Sequence, residues 1–249
     1  KNLKGRHQFK SEDHREIILH FYEEENKLML DKLNGIFALA IWDKKNDTLL
    51  CARDRAGLKP LFYAIFDEKL LFASELKAIV RNFKNSFPLD NKALKKYFAF
   101  GYTPAPHTLF MDIQQLVPAH YMLVNSSGSV KISRYWKINF EHYKDDPTFS
   151  NEKEVCHNLS TLLQKSVSRR LDSVSPPGIF LSGGIDSSSI LALASEFYKG
   201  DKINTFSVKF QEPTYDESEF VDIMTRHYQT NHKKLTITSK DALNVIFEI

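Results

Sequence analysis

Ser182-Gly183-Gly184-Ile185-Asp186-Ser187-Ser188 stands between an apolar strand candidate, Gly178 to Leu181, and a helical pattern from Ser187 to Lys199 that Gly200 stops. Two glycines at a strand-to-helix junction let backbone N–H groups approach an anion closely, and the helix start adds its positive partial charge. The loop has neither the lysine nor the spacing of a Walker A motif, so a phosphate held here needs a metal, and Asp186 is the hard oxygen ligand for Mg2+. Ser182, Ser187 and Ser188 can donate hydroxyl bonds. A serine-rich cap before an ordinary helix would read alike, and the surroundings separate the two. Downstream the alternation continues with a strand (Ile203 to Phe210), a helix (Glu217 to Tyr228) and a strand (Lys234 to Thr238). Ser239 then caps another helical pattern through Ala242, Val245, Ile246 and Ile249. Repeated strand–helix units predict a parallel, doubly wound α/β sheet, whose ligands sit at the carboxyl ends of the strands.

Upstream the pattern differs. Asp13 precedes a helical pattern with Ile17, Ile18 and Phe21, and Glu16 three residues on completes a capping box. Gly35 to Trp42 is apolar on both faces and predicts a strand between two layers. Thr48 to Arg53, Leu61 to Ile65 and Leu70 to Ala73 follow as strands of an antiparallel meander. Ser74 and Asp90 cap two further helices, and Tyr121 to Val124 with Val130 to Tyr135 forms a hairpin. The polar run Glu141 to Asn151 reads as a linker, followed by a helix with Val155, Leu159, Leu162, Leu163 and Val167 at helical spacing. The boundary is placed near residue 140, dividing the chain into 1–140 and 141–249.

With 249 residues, 42% hydrophobic and 26% charged, the chain has the composition of a globular protein of two modest domains. Its net charge of +3 is spread without a polybasic block, which argues against nucleic acid or a membrane surface as partner. The longest apolar run, Ile36 to Trp42, is far short of a membrane span. Cys51 and Cys156 match no metal or disulfide spacing, so the expected compartment is the cytoplasm.

The string Leu181 to Ser188 resembles the pyrophosphate loop of the PP-loop ATP pyrophosphatases, which split ATP into AMP and pyrophosphate while adenylating a substrate. That motif is shared with GMP, NAD and argininosuccinate synthetases and with tRNA-modifying relatives. Three earlier segments, Gly35 to Asp43, Arg53 to Tyr63 and Phe72 to Ala78, are similar to the class II glutamine amidotransferase domain of asparagine synthetases. Tyr102 to Pro106 and Leu116 to Tyr121 look like the connecting region of the same family. The resemblance implies a partial N-terminal-nucleophile αββα sandwich over 1–140, then the N-terminal part of an adenine-nucleotide α-hydrolase-like ATP-binding domain over 141–249. The implied reaction is adenylation of aspartate and its amidation by glutamine-derived ammonia, with ATP and Mg2+ required. The implied partners are glutamine, ATP and aspartate, and the resemblance allows a homodimer. A relative acting on another carboxylate and a non-catalytic nucleotide-binding module are the alternatives.

By the same resemblance, Phe180 and Val208 flank the adenine while serving as strand core, and Phe180 to Gly184 with Asp186, Ser187 and Ser188 surround the pyrophosphate. The family's glutamine-binding Asp aligns with His14, one position after Asp13, which makes these two the glutamine-binding candidates. Asp216-Glu217 and His232 fit family positions but read as a surface cap and a structural histidine. Arg53, Asp54 and Arg55 read as a buried ion pair that holds the loop before Gly57. The class needs a terminal cysteine whose own amine activates the thiol. Lys1, Cys51 and Cys156 cannot fill that role, so the nucleophile is expected upstream, the aspartate-binding acidic loop beyond Ile249, and the 249 residues by themselves inactive.

Overall fold

The structure, a computed structural model, describes residues 3–11, 13–81, 87–143, 151–171, 177–210 and 218–245. Asp216-Glu217, most of the expected linker, and Ile246 and Ile249 lie outside them. The chain divides into two compact units, Lys1–Asn139 and Phe140–Ile249.

In the first unit, strict alternation of side chains builds the layers. The strands β1 (Ala38–Asp43), β2 (Thr48–Arg53), β6 (His120–Asn125) and β7 (Val130–Arg134) form an antiparallel sheet in that order. Leu50, Ala52, Tyr121 and Ile41 point to one side, where α1 (His14–Glu25) brings Tyr22 and the following turn brings Met29 and Leu30. Cys51 and Met122 point to the other side and meet Leu61 and Tyr63 of a second antiparallel sheet. Its strands are β3 (Phe62–Phe66), β4 (Lys69–Ala73) and β5 (Ile113–Gln115), with β3 in the middle. The far side of that sheet packs Ala64 and Ile113 against Ile79 of α2 (Leu76–Arg81). Helix, sheet, sheet and helix are thus stacked as four layers, with α3 (Asn91–Phe100) started by Asp90, whose carboxylate accepts from the amides of Lys92 and Ala93.

Three expectations change. The strands do not form one meander, because the loop after β2 carries the chain from the first sheet to the second, and β2 pairs with β6 instead of β3. The run Gly35 to Trp42 packs into the cores on the two sides of the first sheet only from Phe37 to Ile41, while Ile36 and Trp42 are exposed. Asp13 does cap α1 through the Arg15 amide, but Glu16 does not return a bond to it. Its carboxylate instead accepts from the amides of Lys10 and Ser11 at 2.7 and 2.8 Å and from the Ser11 hydroxyl.

The loop between sheets is held from its backbone. Arg53 Nε donates to the Lys59 carbonyl, Nη1 to Leu116 and Nη2 to Gly57, at 2.6–2.7 Å. The Asp54 carboxylate accepts from the amides of Ala56, Leu58 and Lys59 at 2.9–3.2 Å. Both side chains are buried, and their bonds serve loop amides and carbonyls, so the expected ion pair is in fact a backbone clamp. Burial opposes the charge on Asp54, yet the amides led by Lys59 and Leu58 outweigh it and hold the carboxyl below its usual value.

The second unit begins with α4 (Glu152–Leu171). Strands β8 (Gly178–Phe180), β9 (Asn204–Phe210) and β10 (Asn231–Ile237) then pair in parallel, with β9 in the middle. The crossovers are α5 (Ile185–Phe197) and α6 (Ser218–His227), and α7 (Ser239–Val245) follows. Leu181, Leu191, Ala194, Ile203 and Val221 form the core, joined by Val167 and Leu171 of α4. The N-terminal part of α4 leaves Leu159, Leu162 and Leu163 exposed. β10 starts at Asn231, ahead of the expected Lys234, because it pairs with the whole of β9. The parallel pattern is as expected, but a second helix-covered face is not seen among the described residues: the side of the sheet carrying Phe180, Val208 and Leu235 is open.

Candidate nucleotide site

The loop expected to hold phosphate leaves the end of β8 and enters α5. Leu181 carries the turn on a buried side chain, and its amide donates to the Phe206 carbonyl at 2.8 Å, fixing the loop to the central strand. Gly183 has φ +85°, a left-handed conformation that an L side chain resists. Gly184 is the N-cap of α5 and has no side chain of its own to cap the helix, so the first turn of this 13-residue helix lacks an N-cap side-chain hydrogen bond.

The serines brace the loop. Ser187 Oγ donates to the Gly184 carbonyl and accepts from the Ser182 amide, both at 3.2 Å. Ser182 Oγ lies 3.0 Å from Ser187 Oγ and accepts from the Gly184 amide at 3.3 Å. The Ser188 amide donates to the Gly184 carbonyl at 3.1 Å, the first regular turn of the helix. Two of the three hydroxyls expected to face phosphate therefore make bonds within the loop instead. Asp186 is exposed in that first turn, a hard carboxylate donor of the kind Mg2+ takes. The donor set thus fits a metal-neutralised phosphate.

Beside the loop, Phe180 is 83% exposed and Val208 47% exposed, so the expectation that both are core is corrected. They lie on one face of neighbouring strands, since Phe180 is opposite Phe206 and Val208 is two residues further along β9. The Phe206 ring, 6.2 Å from that of Phe180, and Leu235, opposite Val208, extend the apolar face and were missed in the sequence reading. The period-two alternation Phe206, Val208 was the available signal. The buried face of the same strands is polar near its start. His232 Nδ1 lies 2.9 Å from Thr205 Oγ1, and Nε2 lies 3.1 Å from Ser207 Oγ, with burial pushing its pKa down. His232 is therefore a satisfied structural residue away from the open face.

The glutamine-binding candidates are in the first unit and take no part in this loop. Asp13 is half-buried and paired with Arg15, whose side-chain bonds lower its pKa to about 2. His14 is exposed as the first residue of α1. Cys51 is fully buried in β2, where burial pushes its thiol up to about 12, and Cys156 is exposed on α4. Neither is placed as a glutaminase nucleophile. Among the described residues no helix is long and apolar enough to cross a membrane.

Comparison with known proteins places these elements. Residues 1–136 match the model described as glutamine amidotransferase domain, and residues 158–249 match the one described as asparagine synthase. The glutamine-hydrolysing asparagine synthetase 3 of Bacillus subtilis (strain 168) is 35% identical over all of this chain and 42% of its own length. The glutamine-hydrolysing asparagine synthetase 1 of the same organism is 32% identical over 84% of this chain and 32% of its own length. The amidase chyE of Penicillium rubens (strain ATCC 28089 / DSM 1075 / NRRL 1951 / Wisconsin 54-1255) is 26% identical over 94% of this chain and 36% of its own length. The chain spans less than half the length of these relatives. A glutamine amidotransferase match over most of the first unit, followed by an asparagine synthase match that includes the loop of α5, shows that this chain belongs to the asparagine synthetase family.

Proposed function

We propose that the chain is part of an ATP-dependent, glutamine-hydrolysing asparagine synthase, a carbon–nitrogen ligase. In this reading residues 1–140 are a partial class II glutamine amidotransferase domain with its connector, of the N-terminal-nucleophile αββα type, consistent with its four layers. Residues 141–249 are the N-terminal part of an adenine-nucleotide α-hydrolase-like domain. The observation that carries the reading is the Gly183-Gly184 turn, which opens α5 without a side-chain cap beside the exposed Phe180 and Val208. The amides at the start of α5 would bind the pyrophosphate of ATP, and Asp186 would hold the Mg2+ that neutralises it. The open face of β8 and β9 would take the adenine.

Chemically, a carboxylate oxygen of aspartate attacks the α-phosphorus of ATP, pyrophosphate leaves, and ammonia from glutamine displaces AMP from the resulting acyl-adenylate. Glutamine enters through the first unit, where Asp13 and His14 are the candidates near its site. The proposed compartment is the cytoplasm, in keeping with two free cysteines, and the proposed assembly is a homodimer. The amidase relative favours a second reading of the acceptor, in which a carboxylate other than aspartate is activated by the same loop.

The test is ATP–pyrophosphate exchange in the full-length enzyme. Asp186→Asn is expected to remove several kcal/mol of transition-state stabilisation, on the order of a hundredfold or more in rate, with the fold intact. An unchanged exchange rate would take Asp186 out of the mechanism. Exchange supported by another carboxylate and not by aspartate would select the second reading.

A further inference from the structure

One cluster of metal-ligating side chains among the described residues is unrelated to the phosphate loop. His7, from the segment ahead of α1, meets His20 and Glu23, one turn apart on α1, and one ligand atom of each lies within 4.8 Å of the other two. Both Nδ1 atoms face the same oxygen, Glu23 Oε2, at 2.8 Å from His20 and 3.5 Å from His7. The far nitrogens face carboxylates as well. His7 Nε2 is 3.2 Å from Glu24 Oε1, and His20 Nε2 is 3.6 Å from Glu16 Oε1. Glu16 is itself fixed by the Lys10 and Ser11 amides, and the edge of the Phe9–His20 ring pair, 4.8 Å between centroids, holds the His20 ring.

A neutral imidazole has one N–H and one bare lone pair. With a carboxylate at each end, every neutral ring here aims a lone pair at an anion, and His20 Nε2 is buried without a hydrogen-bond partner. A second proton on each ring would satisfy both ends but would stack two imidazolium ions with centroids 4.4 Å apart. A single cation resolves the conflict. It takes the two Nδ1 lone pairs and the Glu23 oxygen, and leaves each Nε2–H to donate to Glu24 or Glu16, the carboxylate–histidine–metal arrangement that orients ligating imidazoles.

We propose that His7, His20 and Glu23 form a binding site for a divalent transition metal of the zinc class, with Glu24 and Glu16 backing the two imidazoles. Two nitrogens and one carboxylate oxygen suit Zn2+ better than Mg2+ or Ca2+, which prefer oxygen throughout. The rings, tilted by 30°, open further when the ion binds. His7 makes that movement, since it sits on the chain segment and not on the helix. The bound ion then ties residues 3–9 to α1, ahead of the Asp13 cap.

The experiment is titration of the chelator-stripped 249-residue chain with Zn2+ by calorimetry, and with Co2+ followed by visible absorption. One equivalent is expected to bind, to give the absorption of a low-coordinate Co2+ site, and to raise Tm. His20→Gln and His7→Gln are each expected to abolish the site, whereas Asp186→Asn leaves it unchanged. Glu24→Gln, which spares all three ligands, is expected to weaken binding by about 10–100-fold. His7→Gln lies outside the helix, so it serves if His20→Gln fails to fold by circular dichroism. Absence of saturable binding, or a site that survives both histidine variants, would overturn the proposal. So would stability that rises as pH falls through the histidine range and ignores Zn2+, because that outcome identifies an imidazolium pair.

Discussion

At the level of single residues, the strongest leverage is on glycine. Gly183 holds φ +85°, and the amides beyond it face the place where phosphate would lie. A branched side chain at that position would both strain the turn and fill the approach. Gly183→Val is therefore expected to remove ATP binding, measured by calorimetry, while Tm falls only modestly, and equal affinity in the variant would end the phosphate-loop assignment. The tight turn itself was legible in the sequence, because a glycine pair between an apolar strand and a helix suits a left-handed conformation. The serines were not legible in detail: the sequence shows hydroxyls beside the loop, but whether they face a ligand or the loop depends on rotamers that only the folded turn decides. His232 makes the same point. Its strand position was readable, its two hydroxyl partners on β9 were not, since they depend on parallel register. Burial lowers its pKa below that of the unfolded chain, so its contribution to stability is complete above the ordinary histidine value of 6.5 and is lost as pH falls through it. Thermal melts of the wild type are expected to lose stability between pH 7 and 5, with a flatter dependence in His232→Asn.

At the level of elements, the loop after β2 decides how the first unit is built. Strands at β2, β3 and β6 could be read from the residues, and in the fold their alternating side chains face a core on either side. Which strands pair could not be read, because local spacing favours a meander, and the switch between sheets is made by Arg53 and Asp54 through backbone groups distant in sequence, such as the Leu116 carbonyl. Gly57, at φ +69°, completes the turn: a Cβ there would lie 2.6 Å from Pro118 Cγ and 3.0 Å from the Arg53 guanidinium. Removing the Asp54 carboxylate leaves three part-buried loop amides without their acceptor, each bond worth about 1 kcal/mol. Asp54→Ala is accordingly expected to destabilise the first unit by about 3 kcal/mol or more in urea unfolding, with Gly57→Ala costing at least about 1–3 kcal/mol from its conformation. A change of only a few tenths of a kcal/mol in Asp54→Ala would show that the clamp does not set the loop.

On the scale of the whole chain, two units carry two parts of one proposed reaction, and their chemistries are not equally represented. The second presents the Gly183-Gly184 turn at the start of α5, proposed above to hold the pyrophosphate of ATP. The first presents the layered scaffold of an amidotransferase, while its one cysteine is a buried strand residue and the chain's other cysteine is an exposed helix residue of the second unit. Cys51 has its thiol pushed up to about 12, so at neutral pH it is a protonated core side chain surrounded by Leu61, Tyr63 and Met122. Cys156 on α4 has no part in the first unit's scaffold. Glutamine hydrolysis of the class II type needs a terminal cysteine whose amine and thiol act together, and neither Cys51 inside β2 nor Cys156 inside α4 offers that pair. The polypeptide of 249 residues is expected to release no ammonia from glutamine above a no-enzyme control between pH 6 and 9, and to retain Mg-ATP binding that Gly183→Val removes. Cys51→Ala and Cys156→Ala are expected to leave both readings where they were. Ammonia release that either alanine variant abolishes would place the glutaminase nucleophile within these residues, and would mean that the scaffold of the first unit performs its chemistry by a route other than a terminal cysteine.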